Sequence, residues 1–213
     1  MELMEYIESS QTEPPVSGTL HRPAGATRDA LVLTHGAGSN ADAPLLVAVA
    51  DLLAEAGLAV LRCHLPFRQK RPKGPPFPAA AASDREGLRH AVEFMRSMSP
   101  GRVFLGGHSY GGRQSSMLVA ENPLLVTGLL LLSYPLHPPN RPESLRMEHF
   151  PALRVLCLFV HGERDPFGTI AEMESAVSLI PARTRLCAVS GKGHDLRGAA
   201  PKIATEFLKE LGG

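Results

Sequence analysis

Three fragments of the chain carry side chains that could act together as nucleophile, acid and base. They are Gly107-His108-Ser109-Tyr110-Gly111, Asp165 and His194, in that order. A serine hydroxyl is a weak nucleophile at neutral pH. It needs an imidazole to take its proton as it attacks, and the imidazole needs a carboxylate to fix its tautomer and stabilise its charged form. Serine first, acid second and histidine last is the order such a triad takes on an alternating β/α framework. The pattern G-x-S-x-G alone is a weak signal, and its context carries the argument. An apolar run, Val103-Phe104-Leu105, precedes it, and a helical pattern starts near Gly112. A serine in a sharp strand-to-helix turn needs very small neighbours two residues away on each side, because the two backbones nearly touch. Gly107 and Gly111 supply them, and Gly106 and Gly112 widen the clearance.

His194 lies in Ser190-Gly191-Lys192-Gly193-His194-Asp195, a glycine-rich loop after the last expected strand, from which an imidazole can reach Ser109. The acid is sought in His161-Gly162-Glu163-Arg164-Asp165-Pro166. Asp165 is the candidate, with Glu163 and Asp195 as rivals; Asp195 reads as a helix N-cap or a solvated neighbour of the base. Attack would create an oxyanion, which backbone N–H groups can hold. Tyr110, at a helix N-terminus, offers one. The other is expected from His35-Gly36-Ala37-Gly38-Ser39-Asn40, with Ala37 first and Gly38 next. Those glycines could instead cradle a phosphate, but the segment lacks the Lys and Ser/Thr of a P-loop and does not meet G-x-G-x-x-G.

Residues 68–73 hold four cations, Arg68, Lys70, Arg71 and Lys73. They read either as a solvated loop or as a segment overhanging the cleft, with Arg68 nearest an acidic substrate. His35 and His161 end strands and read as structural hydrogen-bonders, and His108 as packing beneath the nucleophile. No spacing among the histidines suggests a metal site. Cys63, Cys157 and Cys187 read as free buried thiols, with Cys63 closest to where a site would open.

Bulk properties fit this reading. The chain has 213 residues, 44% hydrophobic and 20% charged, which suits a single globular domain over 1–213 rather than a disordered chain. A net charge of +1 gives no basic field to draw nucleic acid or an anionic membrane. Met1-Glu2-Leu3-Met4-Glu5 lacks a cleavable signal pattern, and the longest apolar run, around 128–132, is strand-sized. A cytoplasmic protein with a small-molecule partner is the expectation; the oligomeric state is left open.

The elements that must position these residues can be read in turn. Two short strands separated by Thr12-Glu13-Pro14-Pro15 open the chain, the second over 16–21. Residues 30–35 are a continuous apolar strand of the kind buried on both faces of a parallel sheet. A helical pattern over 43–56 stops at Gly57, and 58–63 is a strand. Residues 64–82 are too rich in proline for either element. A helix is predicted from Ser83-Asp84, with Ser83 as N-cap and Glu86 as its capping-box partner, to about Met98. The elbow strand and its helix follow, then strands over 126–134 and 154–161 joined only by a loop, a helix over 169–179, a strand over 184–189 and a helix over 201–211. This alternation predicts a mostly parallel sheet with helices on both faces, and functional loops outside the carboxyl ends of the strands.

On Thr34-His35-Gly36-Ala37-Gly38 and Gly107-His108-Ser109-Tyr110-Gly111-Gly112, the sequence resembles the α/β-hydrolase superfamily over nearly its whole length. It looks like the compact dienelactone-hydrolase-like and short-esterase branches. It is also similar to a smaller α/β-hydrolase-like family that includes a subunit of a histone-acetyltransferase complex. The resemblance implies a twisted eight-stranded sheet with the second strand antiparallel, and it favours Asp165 as the acid. Many members insert a cap after the sixth strand; here only residues 135–153 fill that place, which implies a lidless, open cleft. Dienelactone hydrolases proper use a cysteine nucleophile, whereas this chain has Ser109. The expectation is a serine hydrolase that cleaves a small ester or thioester through an acyl-enzyme with no metal or organic cofactor. The alternative is a binding or scaffold protein that keeps the architecture without turnover.

Overall fold

In the computed structural model, which describes residues 3–25 and 29–212, eight strands form one sheet. They are β1 (Leu3–Ser9), β2 (Val16–Arg22), β3 (Ala30–Thr34), β4 (Ala59–Cys63), β5 (Val103–His108), β6 (Gly128–Leu132), β7 (Leu156–Gly162) and β8 (Thr184–Val189). Six α-helices interleave with them: α1 (Pro44–Glu55), α2 (Pro66–Lys70), α3 (Ala80–Met98), α4 (Tyr110–Glu121), α5 (Ile170–Val177) and α6 (Ala200–Gly212). The strand order is β1-β2-β4-β3-β5-β6-β7-β8. Only β2 runs against its neighbours; the pairs from β4 through β8 are parallel. This is the α/β-hydrolase sheet that the resemblance implied.

The central strands are apolar throughout because both of their faces are covered. Side chains alternate between two cores. Leu31, Leu33, Phe104, Leu130, Leu158 and Val160 pack with α1 and α6, where the Phe104 and Phe207 rings meet edge to face at 5.4 Å. Val32, Leu105, Leu129, Leu131 and Phe159 face α3, α4 and α5 on the other side. Residues 133–155 contain only the 3-10 turn Phe150–Ala152, so no cap domain stands over the carboxyl ends of the strands. Among the described residues, no helix is long and apolar enough to cross a membrane.

Two local expectations are corrected. The proline-rich stretch holds a short helix, α2, because Pro66 occupies its first turn, where a missing N–H costs nothing. Helix α3 begins at Ala80, and Ser83 is not its cap. Asp84 is fully buried, with Oδ1 accepting from Phe67 N–H (3.0 Å) and Oδ2 from the Tyr110 hydroxyl (2.7 Å). The Asp84 side chain ties α3 to α2 and α4.

The turn from β5 into α4 has the predicted strain. Ser109 sits at φ 53°, ψ −116°, a region that side-chain-bearing residues avoid. Its N–H donates to Leu132 O (2.8 Å) and its carbonyl accepts from Arg113 N–H (3.0 Å), so both flanks hold it there. A Cβ on Gly107 would stand 2.7 Å from the Gly111 carbonyl carbon, and one on Gly111 would stand 2.6 Å from His35 O. Strand, elbow helix and the loop after β3 therefore touch backbone to backbone.

His35, at the end of β3, is fully buried and neutral. Its Nδ1–H donates to Gly36 O (2.9 Å), and its Nε2 accepts from Leu65 N–H (3.2 Å). Burial pushes its pKa down to about 4.

Two predictions follow from this packing. Gly107→Ala should lower stability by about 1–3 kcal/mol through overpacking. Gly38→Ala, whose added Cβ meets nothing within 4 Å, should leave the urea midpoint within error. Equal midpoints for both variants would refute the close-approach argument. His35 titrates lower in the folded chain than unfolded, so the unfolded state binds more protons between pH 6.5 and 4. Stability must then fall as pH drops through that window, by about 2 kcal/mol for this group from pH 7 to pH 5. Urea titrations at the two pH values test this, and a flat profile contradicts it.

Candidate active site

The three distant fragments meet. Ser109 Oγ lies 2.8 Å from His194 Nε2, and His194 Nδ1 lies 2.8 and 3.0 Å from the two oxygens of Asp165. The carboxylate fixes the tautomer: Nδ1 carries the proton, and Nε2 is left to accept from the Ser109 hydroxyl. Asp165 is only 4% exposed. Burial alone would raise its pKa, but the hydrogen bond and charge of His194 and the Phe167 N–H (2.9 Å) outweigh it and hold the carboxyl below its ordinary value. Neither rival carboxylate is bonded to the His194 ring, which Asp165 holds. Glu163 accepts from Gly191 N–H (3.1 Å), and Asp195 accepts from Arg197 N–H (3.2 Å) in an exposed turn rather than capping a helix.

Two neighbours seat the imidazole. The Phe167 ring lies 4.2 Å from it at 33°. His108 Nε2–H donates to the His194 carbonyl (2.7 Å), so His108 bridges the elbow to the loop of His194 rather than packing under Ser109. Burial pushes its pKa down to about 4, so the bridge is a neutral one. His161 has the structural role expected of it, with Nε2–H donating to Gly168 O (2.8 Å). All three cysteines are buried; burial pushes the Cys63 thiol up to about 12, which leaves it an unreactive neighbour.

Ala37 and Tyr110 line the same cleft as Ser109. Among the described residues, neither backbone N–H has an acceptor, which leaves both free for an oxyanion. The loop of Ala37 rests against Ser109: a Cβ on Gly36 would stand 3.4 Å from Ser109 Cβ.

Arg68 is not where a substrate-binding residue would be. It is 7% exposed and does not line the cleft. Its Nε–H donates to Ser39 O (2.8 Å), one Nη to Ala37 O (2.8 Å) and Gly74 O (3.0 Å), and the other Nη to Arg71 O (3.1 Å). A guanidinium satisfied by four carbonyls has no fork left for a ligand. It clamps the loop that carries Ala37. Lys70 and Lys73 are exposed, and Arg71 lies over the Phe77 ring at 4.5 Å.

The cleft encloses about 720 Å³. Residues 75–78 form one wall, as the proline-rich segment turns back over the site. Arg113 and Arg146, which the sequence reading passed over, also line it. A signal for Arg113 was present, since it lies one helical turn after Ser109. A neighbouring cavity of about 400 Å³ opens beyond His108 and Gly36, lined by Leu45 and Leu46 of α1.

Comparison with known proteins agrees with this architecture. Dienelactone hydrolase from Anabaena variabilis is 23% identical and superposes with a TM-score of 0.76, over 98% of this chain and 96% of that one. Est1E from Butyrivibrio proteoclasticus is 15% identical, with a TM-score of 0.75 over 99% of each chain. An α/β serine hydrolase without lid from Xanthomonas campestris is 17% identical, with a TM-score of 0.70 over 97% of this chain and 94% of that one. These likenesses concern the fold. The model of the family described as alpha/beta hydrolase domain matches residues 27–206, most of the sequence, and the chain therefore belongs to that family.

Proposed function

We propose that the protein is a serine hydrolase that cleaves a small ester or thioester through an acyl-enzyme. The observation that carries this reading is the continuous relay from Asp165 through His194 to the Ser109 hydroxyl. Ser109 Oγ attacks the substrate carbonyl while His194 Nε2 takes its proton, and the buried Asp165 carboxylate stabilises the imidazolium that forms. The tetrahedral oxyanion is held by the N–H groups of Ala37 and Tyr110, worth about 3 kcal/mol each. Collapse breaks the bond to the alcohol or thiol, which leaves with the proton from His194, and the acyl group stays on Ser109. Water, deprotonated by His194, then attacks the acyl carbonyl, and Ser109 recovers its proton as the acid departs. The free donors, the strained serine and the hydrogen bonds on both ring nitrogens of His194 all support this sequence of steps.

A fluorophosphonate probe should label the wild-type protein and leave Ser109→Ala unlabelled. Asp165→Asn should fall in kcat by roughly 10⁴-fold, because the amide no longer secures the productive tautomer. A folded wild-type protein that takes no label would favour the scaffold alternative.

Arg68→Lys should lower kcat by about 10–100-fold with a smaller change in KM, since a lysine cannot hold the Ala37 and Ser39 carbonyls together and the oxyanion donor loosens. An unchanged kcat with KM raised only for acidic esters would restore Arg68 to the substrate.

A further inference from the structure

Two guanidinium groups line the cleft beside Ser109 without an ion-pair partner among the described residues. Arg113 sits one helical turn after the nucleophile, its backbone N–H bonded to Ser109 O (3.0 Å). Arg146 comes from the loop between β6 and β7. Its backbone is pinned there: its N–H donates to Leu136 O (2.8 Å), and its carbonyl accepts from the Tyr134 hydroxyl (2.5 Å). Both share the cleft with Ser109, His194 and the oxyanion donors. Among the described residues, neither side chain has a carboxylate within ion-pair distance or any hydrogen-bond acceptor, and Nε of Arg113 is buried without a partner.

Several other arginines among the described residues are partnered. Arg62 meets Asp42, Arg102 meets Asp29, Arg185 meets Glu206 and Glu210, and Arg68 holds four carbonyls. The cleft pair instead works against itself. Burial and then the charge of Arg113 hold Arg146 below the usual guanidinium range, and Glu148 attracts it only from beyond ion-pair distance. Burial and the same Arg113 charge push His149 down to about 4, so that ring stays neutral. A third donor is also unsatisfied. Gln114 lines the cleft and is 1% exposed; its Oε1 accepts from Arg85 (3.2 Å), which leaves its buried Nε2 without an acceptor. Buried donors without acceptors are costly, and unpaired cations in a partly dry cleft more so. A ligand oxyanion in the cleft would give the two guanidinium groups the partner they lack.

We propose that Arg113 and Arg146 form an anion subsite, and that the ester or thioester cleaved at Ser109 carries a carboxylate bound there. A guanidinium fork matches a carboxylate in shape and charge. Phe77, Phe167 and the prolines of residues 75–78 give the cleft apolar walls, so an acidic group on an aromatic or aliphatic body fits the lining. This inference rests on the serine-hydrolase reading for its substrate, but the anion subsite can be tested apart from turnover.

The binding arm uses the full chain with Ser109→Ala and measures isophthalate against isophthalamide by calorimetry. Isophthalate should bind at least about tenfold more tightly. That preference should be lost in Arg113→Gln and in Arg146→Gln, the latter on a loop whose substitution spares the helix behind the nucleophile. Equal binding of the two ligands, binding of neither, or a preference that survives both substitutions overturns the subsite. The turnover arm compares 3-carboxyphenyl acetate with 3-carbamoylphenyl acetate on the wild-type protein. A charged-to-neutral kcat/KM ratio of about ten or more, collapsing toward one in the double variant, is the expected result. Charge-selective binding without hydrolysis of either ester would keep the subsite and sink the hydrolase reading. Equal hydrolysis without charge-selective binding would do the reverse.

Discussion

The site depends on one backbone crossing. Residues 107 and 111 pass so closely that a single added carbon on either would strike main chain, and the loop ending β3 is drawn into the same contact. That crossing forces Ser109 into left-handed φ and presents its hydroxyl above the sheet. It also sets the Tyr110 N–H at the start of α4 and brings the loop carrying Ala37 against Ser109. In the proposed reaction, nucleophile position and oxyanion donors are thus two consequences of one packing constraint.

Around that crossing, polar side chains act mainly on backbone. Arg68 fixes carbonyls of the Ala37 loop, and His108 fixes the carbonyl of His194. Asp84 holds Phe67 N–H with one oxygen and the Tyr110 hydroxyl with the other. Each is buried or half-buried, and each joins elements far apart in sequence. The precision of the relay comes from these ties, since side chains hold catalytic geometry only when their own surroundings fix them.

The sequence made some of this legible and hid the rest for physical reasons. Strand, turn and helix around Ser109 show because glycine spacing and apolar periodicity are local. The order of serine, acid and histidine shows because topology brings the ends of successive strands to one edge. The choice of Asp165 over Glu163 needed the fold resemblance, because two residues on one loop differ only in where the turn points them. Arg68 was misplaced because the acceptors that occupy it, such as Ala37 O, lie 31 residues away, and no local pattern reveals a buried clamp. Ser83 mimicked a helix cap because its spacing to Glu86 meets the capping-box pattern, although the helix already starts at Ala80. The short helix α2 was missed because a proline in the first turn starts a helix as readily as prolines elsewhere forbid one.

The central claim is that Ser109 becomes covalently acylated during turnover. Acid quenching of the wild-type protein during hydrolysis of 4-nitrophenyl acetate, followed by mass spectrometry of its peptides, tests it most directly. The account predicts one acetyl group on the peptide that contains Ser109, absent from Ser109→Ala. Steady turnover with that peptide unmodified, or with the acetyl group on another residue, would contradict it.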